Sequence, residues 1–226
     1  TTGALVALCL VAPLSAFAND FGTNGSSCNH ATFAAAMSAV SPGGTIYVKS
    51  GTHSLNGMGT QTVTDDVTLQ GSNSVCSSGG TSSSTLTFTN AGRFFEVDSG
   101  VHLVLNRVTL SGGNTGLSGA TVFLNSSATL GMIDSGLEDG ISGNDGGCLY
   151  VPHNGSVSLV NSDIRNCHAT DDGGGVYLSL NSNMWMFSGS RLMSADRQRE
   201  GSAYFSPWVW RRRSARLRPW RANARL

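Results

Sequence analysis

The chain has 226 residues, enough for one domain of ordinary size, with 29 glycines, 12% charged residues and a net charge of zero. So little charge and so much glycine argue against a helical bundle and suit stacked strands joined by tight turns. The zero net charge conceals a split. Residues 1–190 carry twelve acids against Lys49, Arg93, Arg107 and Arg165, whereas residues 191–226 carry ten arginines against Asp196 and Glu200.

Residues 1–18 read as an export signal. An apolar stretch from Ala4 to Leu14 leads into Ala16-Phe17-Ala18, a small-x-small site with cleavage expected before Asn19. The stretch is too short for a dedicated membrane span, so no span is expected once it is removed. The implied destination is extracellular, cell-surface or periplasmic, where disulfides are permissible. Cys28, Cys76, Cys148 and Cys167 allow three pairings. Cys28–Cys76 with Cys148–Cys167 is favoured because each pair stays local in a stack, and the other two pairings remain open. None of the four has C-x-x-C spacing, which disfavours zinc or thioredoxin-type chemistry.

Residues 19–44 read as an N-terminal cap. Phe33, Ala36, Met37 and Val40 recur at helical spacing within Ala31–Val40, and Pro42-Gly43-Gly44 ends the run. Thr45–Val48 follows as a strand. Such a cap would plug the open end of a solenoid, which otherwise leaves unpaired backbone groups and an open core. Irregular early coils would use Val63, Val67, Leu69, Leu86 and Phe88 inward, and Ser72–Ser84 reads as a protruding loop.

From about residue 93 a 27-residue period takes over. Phe95, Val122, Leu149 and Val176 are 27 apart, as are Leu103, Leu130, Val157 and Met184. Apolar residues alternate with small or polar ones, as in strands with one buried face, and glycines recur at Gly119, Gly146-Gly147 and Gly173-Gly174-Gly175. A period of this length means a stacked array, and short alternating strands make it a parallel β-helix running through residues 45–190.

At residue 191 the pattern is expected to fail, because Arg191 falls on the inward register of Leu110, Leu137 and Ile164. The Arg/Trp-rich segment 191–226 then reads as non-native or disordered, as a frameshift near the end of a longer gene would produce. A genuine arginine-rich tail would instead suit a membrane surface or nucleic acid. No nucleic-acid partner is expected, since no binding fold surrounds it.

The residues around the glycines resemble the right-handed β-helix repeats of the polymorphic outer-membrane protein family, with its GGA-[ILV] and FxxN motifs. Gly146-Gly147-Cys148-Leu149 and Gly173-Gly174-Gly175-Val176 stand where the first motif would, and Ile141-Ser142-Gly143-Asn144 where the second would. The resemblance covers roughly residues 93–190. The helix followed by Pro-Gly-Gly-Thr-Ile is similar to the N-terminal cap of pectate-lyase-like proteins. These resemblances imply an all-β, right-handed parallel β-helix and a surface-exposed passenger linked to adhesion, of which this chain would be a truncated or frameshifted copy.

Polysaccharide hydrolases and lyases share this architecture. Asn161-Ser162-Asp163 with Asp171-Asp172 resembles the N-x-D and D-D carboxylates of polygalacturonases, and paired carboxylates are what inverting glycoside hydrolysis needs. The two elements lie only eight residues apart, and the G-H-G and R-x-K elements of those hydrolases do not occur. Asp145 and Asp172 both precede glycine corners, where turn aspartates bond their own backbone. A lyase would hold Ca²⁺ on several carboxylates and use an arginine as base, and Asp134, Asp163 and Arg165 are the nearest set. His153 and His168 are isolated loop residues. The expectation is therefore an exported, non-catalytic module with no resident cofactor, binding carbohydrate or a host surface through its stacked faces. The alternatives are a calcium-dependent pectate-lyase-like enzyme and an inactive fragment of a larger passenger. Oligomeric state is left open.

Overall fold

In the computed structural model, which describes residues 19–194 and the strand 203–205, the 27-residue period becomes one turn of a coil. Phe95 pairs in parallel with Val122, Val122 with Leu149 and Leu149 with Val176. The result is a parallel β-solenoid of about six turns, 47% strand and 4% helix. The expected export signal and the remainder of the tail lie outside the described residues.

Three sheets form the walls. The first runs from Gly44–Val48 through Val67–Gly71, His102–Asn106, Thr129–Ile133 and Ser156–Val160 to Asn183–Met186, with Phe21–Gly22 added antiparallel at its start. The second contains Val108–Thr115, Gly136–Glu138, Asp163–Ala169 and Arg191–Ser194. The third stacks Gln61–Val63, Phe95–Val97, Val122–Leu124, Leu149–Val151, Val176–Leu178 and Ala203–Phe205. Each strand feeds its inward residues into columns. Leu110, Leu137 and Ile164 form one, Val97, Leu124, Val151 and Leu178 another, and all of these are buried. The early-coil residues Val63, Val67, Leu69, Leu86 and Phe88 are buried as well.

The corners repeat with the coils. Left-handed φ angles recur at Gly100, Ser127, Asn154 and Asn181; at Arg107, Asp134 and Asn161; at Gly112, Asp139 and Asn166; and at Gly119, Gly146 and Gly173. Four such bends per coil turn the chain around the core. Asn, Asp and Gly supply most of them, being the residues that adopt this conformation at least cost. At Gly146 a Cβ would collide with the backbone of Leu149, so this corner requires glycine.

The N-terminal end is closed as expected. The helix Phe33–Ala39 is capped by Thr32, whose side chain accepts the Ala35 amide at 3.2 Å, and it buries Phe33 and Ala36. The Phe33 ring lies 5.5 Å from Phe21 and 5.8 Å from Phe95, so the helix seals the first coils. The disulfides are Cys28–Cys76, which ties the cap to the Ser/Gly-rich loop, and Cys148–Cys167 inside one coil.

The expectation for Arg191 is corrected. One extra residue at the corner after Met186 shifts the register from 27 to 28, so Arg191 pairs with Asp163 and Leu192 with Ile164. Leu192 fills the inward site and Arg191 points outward. The sheet continues past residue 190, and Val176–Leu178 then pairs with Ala203–Phe205 at the original 27-residue spacing.

Replacing both Cys148 and Cys167 with alanine is expected to lower stability by about 3 kcal/mol through loss of the loop constraint. The check is urea unfolding, where the midpoint is expected to fall and the m-value to rise slightly as the unfolded chain is released from the loop.

Candidate functional site

Because coils stack in register, outward residues also form columns, and three of these columns meet on one face. Arg107, Asp134 and Asn161 occupy the left-handed corners between the first and second sheets, with φ of 56°, 49° and 47°. Thr109, Gly136, Asp163 and Arg191 form the next column, and Ser111, Glu138, Arg165 and Met193 the third. Behind the corners, buried Ser135 and Ser162 form an internal ladder. The Val108 amide donates to Ser135 Oγ at 3.2 Å, and the Ser135 amide to Ser162 Oγ at 3.1 Å. These bonds hold the corners where strand pairing is interrupted.

The columns enclose a groove of about 430 Å³ whose lining includes Asp134, Asp163 and Arg165. The lyase-type set thus shares one face. Its chemistry is already engaged, however. Asn161 Nδ2 donates to Asp134 Oδ1 at 2.6 Å, and Arg107 Nη2 lies 3.7 Å from Asp134 Oδ2. Arg191 grips Asp163 with two bonds of 3.1 and 3.0 Å. Arg165 Nε donates to Glu138 Oε2 at 2.6 Å. The hydrogen bond and charge of Glu138 push the Arg165 guanidinium further above its ordinary range, away from service as a base. Calcium on Asp134 and Asp163 would have to displace Arg107, Asn161 and Arg191, so these residues do not fit a ready calcium cage.

Along the groove the signs alternate: Arg107, Arg165 and Arg191 face Asp134, Glu138 and Asp163. Gly136 leaves its floor bare between Thr109 and Asp163. Beside the corner column runs an apolar ridge, Ile133 and Val160, paired in register and each 40% exposed. Sequence reasoning missed Arg107, Glu138, Gly136 and this ridge. Extending the 27-residue count to outward positions would have found all of them.

Asp171 and Asp172 lie elsewhere. With Asp145 they bring one carboxylate oxygen each within 4.8 Å of one another at the glycine corner. The Asp172 amide donates to Asp145 Oδ1 at 3.2 Å, so Asp145 holds the backbone of the next coil rather than that of its own turn. The hydrolase-type grouping of Asp163 with Asp171 and Asp172 is thus split between the start and the far side of the strand Asp163–Ala169. His168, expected in a loop, instead lies in that strand with Cys167, whereas His153 sits at a corner where its carbonyl accepts the Ser127 amide at 3.0 Å.

Another outward column, on the third sheet, is aromatic. Phe123, Tyr150 and Tyr177 stack with centroids 5.2 and 5.1 Å apart and planes within 8° and 4°, and the Arg93 guanidinium covers the free face of Phe123 at 4.4 Å. Both faces of Phe123 and Tyr150 are covered in this way, so these rings present their edges to solvent. It acts as a clamp between coils, each pair contributing about 0.5–1.5 kcal/mol.

Among the described residues no helix is long and apolar enough to cross a membrane.

Burial, followed by the nearby charges of Asp171 and Asp172, raises the Asp145 pKa, against a lowering by the Asp172 amide. A raised carboxyl pKa gives a contribution that is full below the unfolded value of 3.8 and is lost as pH rises through the folded value. Asp145→Asn, which keeps the acceptor and removes the charge, is therefore expected to stabilise the fold at neutral pH and to be neutral below the unfolded value. Urea midpoints at the two pH values read this directly. Searches with the chain found no matching family model, curated protein or solved structure, so the functional reading rests on the geometry of the groove.

Proposed function

We propose that the protein is an exported, non-catalytic binding module that holds a neutral polyhydroxylated chain, a glycan, along the groove over Gly136. The carrying observation is that three in-register columns place balanced, mutually paired charges around a bare floor, with an apolar ridge alongside. Sugar hydroxyls match alternating carboxylate and guanidinium partners, and the C–H faces of pyranose rings match Ile133 and Val160. A ligand of uniform charge would meet as many repulsive groups as attractive ones. The carboxylates are held by cations and amides, which supports binding over acid–base chemistry.

The lyase-like reading keeps one supporting observation, the convergence of Asp134, Asp163 and Arg165 on a single groove. It predicts calcium-dependent release of unsaturated products from acidic polysaccharide, abolished by Asp163→Ala.

Titration calorimetry against neutral and uronate oligosaccharides separates the two. Neutral chains are expected to bind with little salt dependence. Gly136→Leu is expected to weaken binding by about tenfold or more, on the order of 1.4 kcal/mol, by filling the floor. Gly136 lies outside the left-handed region, but a Cβ there would sit 3.2 Å from the Thr109 side chain, which must yield slightly, so circular dichroism of the variant separates loss of binding from loss of fold. Binding unaffected by Gly136→Leu, or calcium-dependent cleavage, would overturn the proposal.

A further inference from the structure

The last described coil is more apolar on its outside than the two coils before it. At several outward positions where those two coils carry small or polar residues, it carries large apolar ones. Gly131 and Ser158 give way to Trp185, Glu138 and Arg165 to Met193, and Ser126 and His153 to Leu180. Trp185 is 38% exposed, Met193 44% and Leu180 52%, and Phe187 beside them 48%. The inward side changes too. Met132 and Leu159 are fully buried, but Met186, next in the same column, is 39% exposed. Asn183–Met186 is the terminal strand of the first sheet among the described residues, so one of its edges faces outward from the stack.

We propose that this end is a contact between two copies of the chain, related by a twofold axis and pairing their Asn183–Met186 edges antiparallel. An open strand edge above an exposed apolar core is a template for another strand. The other end of the solenoid cannot supply it, because the Phe33–Ala39 helix and the antiparallel Phe21–Gly22 strand close that end. Head-to-tail growth is thereby blocked, and like end on like end gives a closed dimer. The chain's own continuation is poorly suited to the place. The residues 27 beyond Asn183–Met186 are Trp210-Arg211-Arg212-Arg213, which put arginine at both inward positions, and a one-residue slip either way still turns Arg212 inward. Burying unpaired guanidinium groups in that core is strongly unfavourable. In the dimer, Met184 and Met186 continue the core across the axis, while Trp185, Phe187, Leu180 and Met193 extend an apolar girdle around the junction.

The test uses the full chain over a dilution series, with mass from light scattering and hydrogen exchange across residues 183–187. The expected result is twice the chain mass at high concentration, with edge amides protected only where dimer is present. Met186→Lys is expected to weaken dimerisation by about tenfold or more. Leu180→Asn, which leaves the strand edge untouched, should weaken it by less. Circular dichroism of each variant separates loss of dimer from loss of fold. A monomer at every concentration overturns the proposal. So does edge protection that persists in the monomer, which would mean the chain's own C-terminal residues cover the end. Dimer unaffected by Met186→Lys overturns it as well.

Discussion

Backbone pairing between coils, held at one residue spacing, is the constraint on which everything else depends. Once Phe95 sits on Val122 and Val122 on Leu149, every neighbouring residue is committed to a column. Inward columns become the core because apolar side chains stacked in register exclude water along the whole rod. Outward columns become surface features by the same geometry. The polar groove, the apolar ridge and the aromatic clamp are three outcomes of one repeat. A single residue added at a corner redirects a column without breaking the sheet, as the Arg191–Asp163 pairing shows.

The groove and the aromatic ladder illustrate how the same stacking yields different chemistry. Phe123, Tyr150 and Tyr177 are alike, so they satisfy one another and leave little face for a ligand. In the groove, unlike groups follow one another, and Gly136 interrupts the second column. The charges neutralise in pairs yet keep hydrogen-bonding capacity, which suits a polar ligand without net charge.

Much of the architecture was legible in the sequence because its signals are local and periodic. The Phe33, Ala36, Met37 and Val40 spacing gave the capping helix, and the 27-residue count gave the strands and the column partners. The observed disulfides are the pairing favoured for proximity within a stack, one of three that the sequence left open. The end of the repeat was misread because a fixed count cannot see a one-residue corner insertion, which moves Arg191 from an inward to an outward position. The site was only partly legible. Asp134, Asp163 and Arg165 were found as candidates for one kind of chemistry, but the partners that redirect them, Arg107, Asn161, Glu138 and Arg191, emerge only when coils are laid on one another. Their roles depend on contacts between residues 27 or 28 apart, which no short motif records.

The most direct test of the central claim is a structure of the full chain with a bound neutral oligosaccharide. The account predicts a ligand lying along the solenoid axis over Gly136, with hydroxyls bonded to Asp134, Asn161, Glu138 or Arg165 and ring faces against Ile133 and Val160. A ligand seated elsewhere, or one that crosses the coils without touching these columns, would contradict it.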